Sequence, residues 1–206
     1  MSRMKLYIIP RSFTKDTVLD EDINNITLIS AEGDLTVRSI NSIGPAVFRK
    51  NLLVKKNASF YSLLTVNENM TVNEKCSIIG TAIIDGDLFA NELVSDSDLK
   101  AASIKTIKAT IKGKVEVQGN ITAVEKITFK VTNKTKITVE GLIEAPEVVF
   151  KNVKRSLSKR VIRLFHLNKK FQRIIELDNQ KIITDKLILD KVEITGDIEA
   201  GETIYL

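Results

Sequence analysis

The chain has 206 residues, 43% hydrophobic but only 5% aromatic and without tryptophan, so Ile, Val, Leu and Thr must fill its interior, a mix that favours strands. Three prolines and nine glycines argue against a long disordered linker, and the single cysteine, Cys76, excludes an internal disulfide and a multi-cysteine zinc site. The net charge of +5 is local: Lys151–Arg173 carries nine Lys and Arg with no Asp or Glu, which leaves the rest of the chain net negative.

Residues 1–24 read as an N-terminal segment leading into the first coils of a single domain spanning 1–206. Its apolar patch is broken by Pro10, short of the apolar core of a signal peptide, and no stretch of the chain reaches the ~20 residues of a membrane span. Together with the lone cysteine, this sets the expectation of a cytoplasmic protein. Cys76, in an apolar run, reads as core filler.

From there the dominant texture is alternation in short runs. Leu35/Val37, Val115/Val117, Ile121/Ala123, Ile127/Phe129, Ile137/Val139, Ile143/Ala145 and Val148/Phe150 are each apolar-x-apolar, which puts both side chains of a pair on one face of a strand. Runs this short cannot stand as independent sheets and must stack on similar ones. A string of the form Gly-x-[Leu/Ile]-x-[Ala/Val] organises them, at Gly33–Val37, Gly86–Ala90, Gly119–Ala123, Gly141–Ala145 and Gly196–Ala200. A glycine corner followed by an inward Leu or Ile and a small residue predicts a β-solenoid with degenerate coils near ~20 residues. A β-sandwich fits less well, because the strands are short and Asp85-Gly86 is the one hairpin-type dipeptide.

Residues 154–180 break this pattern. Leu157, Val161, Leu164, Phe165 and Phe171 recur at helical spacing, which predicts a short basic α-helical insertion, with final coils following over 181–206. Lys159, Arg160, Arg163, Leu164, Phe165 and Lys169 are its candidate contacts to an anionic membrane surface or a protein partner; capping of the solenoid end is the alternative use of the same apolar stripe. No nucleic-acid binding is expected, since aromatic platforms are not interleaved with the charges.

The Gly-Asp-[Leu/Ile]-x-Ala strings, the trailing apolar pairs and the ending Val192–Gly201 resemble the bactofilins, a family of polymer-forming cytoskeletal proteins, over about Asn25–Val153 and Lys186–Leu206. The resemblance implies a right-handed parallel β-helix that polymerises end to end into nucleotide-independent filaments, often as a membrane-associated scaffold for envelope proteins. The chain departs from the family in its basic insertion and in lacking proline-rich tails. On this reading the partner is a second copy of the chain. The candidate polymer interface is Leu28, Leu35 and Val37 at one end and Ile194, Ile198, Ile204 and Leu206 at the other. The alternative function is a non-polymerising adaptor that recruits a partner through the basic segment.

No catalytic, cofactor-binding or metal-binding residues are assigned, and the chain is not expected to be an enzyme. His166 has no partner at ligand spacing, and Gly113-Lys114 lacks a phosphate loop and reads as a turn. The acidic clusters Asp20/Glu21/Asp22 and Asp96/Asp98 read as solvated turns. The Asn-x-[Ser/Thr] strings at Asn25, Asn57, Asn69, Asn120 and Asn133 read as by-products of Asn- and Thr-rich strands and turns.

Overall fold

The structure, a computed structural model, describes residues 10–132, 135–153 and 173–206. Every described ladder is parallel, and the chain winds as a β-solenoid of about nine turns whose rungs expose three successive faces. The first rung is β1 (Pro10–Phe13), β2 (Thr17–Val18) and β3 (Asp22–Ile26), so strands begin inside the segment expected to lead into the coils. Next come β4 (Leu28–Ala31), β5 (Leu35–Val37) and β6 (Ser39–Ser42), then β7 (Ala46–Phe48), β8 (Leu52–Val54) and β9 (Ala58–Phe60).

In the following rungs the second and third faces fuse into one bent strand. These are β10 (Leu64–Val66) with β11 (Met70–Ile78), β12 (Ala82–Ile84) with β13 (Asp87–Ser95), β14 (Leu99–Ala101) with β15 (Ser103–Lys112), and β16 (Lys114–Val117) with β17 (Ile121–Val131). After β18 (Lys136–Val139), β19 (Leu142–Glu144) and β20 (Glu147–Asn152), the last two rungs are the long strands β21 (Arg173–Asp190) and β22 (Val192–Tyr205).

Register explains the repeated string. Leu35, Leu52, Met70, Leu88, Ile104, Ile121, Ile143, Ile182 and Ile198 stack in one column, and all but Ile198 are buried. Beside it runs a column of small residues, Val37, Val54, Val72, Ala90, Thr106 and Ala123, continued by Thr184 and Ala200. Small side chains suit this column because the chain bends there between its second and third faces. The five Gly-x-[Leu/Ile]-x-[Ala/Val] copies therefore occupy one corner. The rungs up to Ile121 are 17, 18, 18, 16 and 17 residues long, counted down the Leu35 column. They are shorter than glycine spacing suggests, because Lys50, Glu68 and Ala102 take the glycine's place in three of these rungs.

A polar ladder holds that corner. The backbone N–H of Asp34 donates to Asp16 Oδ1 (2.9 Å), and the Asn51 N–H and Nδ2 donate to Asp34 Oδ1 (3.1 and 3.0 Å). Asn69 repeats both bonds to Asn51 Oδ1 (3.0 and 3.1 Å), and Asp87 N–H donates to Asn69 Oδ1 (2.9 Å). Asn120 Oδ1 accepts from Leu142 N–H in a later rung (2.8 Å). Asn69 and Asn120 thus serve the fold as corner residues, as their sequence context suggested. Asn133 lies outside the described residues.

The expected helical insertion requires correction. Residues 173–180, its C-terminal part, form the start of β21, and Arg173 to Glu176 pair with Val192 to Thr195 of β22. No helix occurs among the described residues. The β-branched pair Ile174-Ile175 suits a strand, and the ladder to β22 supplies hydrogen-bond partners for that backbone. Residues 154–172, the rest of the expected insertion, lie outside the described residues.

Candidate assembly surfaces at the solenoid ends

At the C-terminal end, β22 pairs with β21 along one edge, and no described strand pairs with the other. An unpaired strand edge is a template for another chain. Beneath it is a recess of about 310 Å³ whose lining includes Leu187, Leu189, Ile194, Ile198, Ala200 and Tyr205. Ile194 and Ile198 are partly buried against the core, with Ile198 over the fully buried Ile182. The other two C-terminal candidates sit differently. Ile204 pairs with Ile188, while Thr203 and Tyr205 fall over the buried Leu187 and Leu189. By register Ile204 takes the outward position and Tyr205 the inward one, where Tyr205 stands 74% exposed at the open end. Leu206 is exposed, held by its backbone N–H to Leu189 O and its carbonyl to Lys191 N–H. The terminal apolar-x-apolar pair concealed a one-residue offset that only pairing with β21 fixes.

At the other end, β1, β2 and β3 each have one described neighbour, in the second rung. Phe13 and Leu19 pack partly buried against the core there. Leu35 and Val37 are buried one rung inside, between β2 and β8, while Leu28 is an exposed residue of β4 opposite Pro10. Of the N-terminal candidates, the structure places none on the first rung. The signal for that rung was weak because Thr17-Val18 is a two-residue strand.

The C-terminal end is the acidic one. The first rung holds Asp16, Asp20, Glu21 and Asp22 against Arg11 and Lys15, and each of the four carboxylates is ion-paired: Arg11–Glu21 (2.6 Å), Arg38–Asp22 (2.9 Å), Lys55–Asp20 (3.3 Å) and Lys50–Asp16 (3.8 Å). The hydrogen bond from Arg38 holds the Asp22 carboxyl below its usual range. The last rung, residues 192–206, holds Glu193, Asp197, Glu199 and Glu202 and no Lys or Arg; Lys181 reaches up to Glu199 (2.8 Å). That hydrogen bond lowers the Glu199 carboxyl.

Elsewhere the polar groups serve the corners. A groove of about 720 Å³ follows the bend between second and third faces in the late rungs. Two hydroxyls on it are engaged by backbone carbonyls: Thr106 Oγ1 donates to Lys108 O (2.9 Å) and Thr184 Oγ1 to Pro146 O (3.1 Å). Cys76 is buried between Ala58 and Leu93, and burial pushes its thiol up to about 12, so it is a core residue. Gly113 has φ +99°, the left-handed conformation that favours glycine in a turn. Among the described residues no three His, Cys, Asp or Glu converge as metal ligands, and no helix is long and apolar enough to cross a membrane. His166 and the candidate membrane contacts Lys159, Arg160, Arg163, Leu164, Phe165 and Lys169 lie outside the described residues.

The fold defines the class of protein: a parallel β-solenoid with an open recess at its C-terminal end, whose lining also includes Glu193 and Thr203. No family model, curated protein or solved structure matches the chain.

Proposed function

We propose that the chain is a structural scaffold of the bactofilin kind, whose solenoids join end to end without nucleotide. The observation that carries this reading is the free edge of β22 above a recess lined by Leu187, Leu189, Ile194 and Ile198. A second solenoid end placed there continues the parallel sheets and covers apolar side chains that are left half-buried in the monomer. The last rung carries four carboxylates and no Lys or Arg, so a joint of two C-terminal ends works against like-charge repulsion.

The test is sedimentation velocity and negative-stain microscopy of the purified chain near neutral pH. Elongated assemblies are expected for the native sequence. Ile198→Asp, which puts a charge in the recess, is expected to leave single solenoids with an unchanged β-sheet circular dichroism spectrum. A native chain that stays monomeric at all concentrations, or assemblies unchanged in Ile198→Asp, would overturn the end-to-end reading.

A further inference from the structure

Although 28% of the residues are charged, four runs in the first half contain none: 23–31, 39–48, 57–67 and 76–84. The fold stacks them. Each run passes along the third face, around the corner, and onto the first face of the next rung. At that corner the backbone N–H groups of Ile43, Tyr61, Ile79 and Asp96 donate to the carbonyls of Ile26, Ser42, Phe60 and Ile78. This ladder sets Thr27, Ile43, Tyr61, Ile79 and Asp96 one above another. A parallel column holds Leu28, Pro45 and Leu63. Leu28, Ile43, Tyr61, Leu63 and Ile79 are between 43% and 51% exposed. The outward positions beside them, Ser59 and Ser77 on one face and Val47, Thr65 and Ile83 on the other, carry no charge.

An exposed apolar ridge of this kind marks an interaction surface. Its own pattern identifies the occupant. The column reads Thr27–Ile43–Tyr61–Ile79–Asp96, a near-palindrome centred on Tyr61. We propose that this ridge pairs with the ridge of a second copy about a two-fold axis through Tyr61, the two solenoids running antiparallel. Ile43 then meets Ile79 of the second copy, Tyr61 meets Tyr61, and Asp96 meets Thr27. A parallel two-fold pairing would instead set Asp96 and Asp98 against themselves, a like-charge contact, with Lys114 beside Asp98 already paired to Glu116. Four rungs at ~4.8 Å make the ridge roughly 15–20 Å tall, so the contact is at the small end for a specific interface and is weak. It is lateral, and so independent of any joining at the ends.

Disulfide trapping tests it, because the native chain has one thiol and that thiol is buried. Under mild oxidation Tyr61→Cys is expected to give mainly linked dimers. Ile43→Cys alone is expected to stay monomeric, since antiparallel pairing sets its two thiols about two rungs, ~10 Å, apart, beyond disulfide reach. An equimolar mixture of Ile43→Cys and Ile79→Cys is expected to give the mixed dimer. Self-linkage of Ile43→Cys as readily as of Tyr61→Cys would overturn the antiparallel pairing. No linkage of Tyr61→Cys in the purified chain, with its circular dichroism intact, would overturn the second copy as occupant. Ile198→Asp in the same variants separates this contact from the ends: lateral linkage is expected to persist there.

Discussion

A methyl group added at Gly44 would overlap the carbonyl oxygen of Thr27 in the rung below, whereas one added at Gly119 would sit 3.2 Å from Ala102 O. Gly44→Ala must therefore push two backbones apart, while Gly119→Ala needs an adjustment of a few tenths of an ångström. We expect Gly44→Ala to destabilise by at least ~2 kcal/mol and Gly119→Ala by under ~1 kcal/mol. Thermal melting should show this as a Tm difference of several degrees; equal shifts would count against close approach as the reason for glycine. The corner glycines were legible in the sequence, but their cause was not. Gly33, Gly86, Gly119 and Gly141 do not have positive φ; they yield space to the rung beneath. Ile43-Gly44-Pro45-Ala46 and Ile79-Gly80-Thr81-Ala82 repeat a second corner that alternation alone did not reveal.

Among the elements, the corner ladder concentrates on Asn51. Its Nδ2 donates to Asp34 Oδ1 and to Glu68 Oε2 (2.8 Å), and its Oδ1 accepts twice from Asn69. Asn51→Leu keeps the volume but removes these bonds and leaves the Asn69 N–H without its acceptor. At ~1 kcal/mol for each net hydrogen bond in this partly exposed site, a loss of about 2–3 kcal/mol is expected, read as a lowered urea midpoint with an unchanged slope. An Asn51→Leu midpoint equal to that of the native chain would show the ladder to be incidental. The same residues explain why coil length was overestimated. Asn51, Asn69 and Ser103 hold corners that lack the glycine string, so a count from glycine to glycine skips them. The inward columns were easier to see, because Leu35, Ile121 and Ile143 carry the period-two signal by themselves.

For the whole molecule, charge at the two ends decides the conditions for assembly. With Glu193, Asp197, Glu199 and Glu202 and no Lys or Arg on the last rung, a joint between two C-terminal ends must overcome repulsion, whereas the carboxylates of the first rung are ion-paired. The Debye length falls from ~30 Å at 0.01 M salt to ~10 Å at 0.1 M, so screening should favour that joint. Raising sodium chloride across that range is expected to increase the sedimenting fraction. Dissolution by salt would mean that attraction between opposite charges holds the assemblies. The sequence could not locate the first rung or the register of Ile204, because both depend on which strand lies beside which. Its basic segment misled more: the expected helical insertion ran to residue 180, whereas Arg173 to Glu176 pair with β22.

Successive rungs lengthen the solenoid by one strand spacing, ~4.8 Å, however many residues they contain. From Ile121 to Ile143 the chain uses 22 residues for that advance, and from Ile143 to Ile182 it uses 39. Described strands resume one spacing further on in both cases, so a rung's height does not depend on its residue count. The stack is in this sense a ruler of roughly 45 Å, graduated by its corner asparagines and glycines. Any filament built from it would keep the same axial repeat whatever the number of residues in a rung.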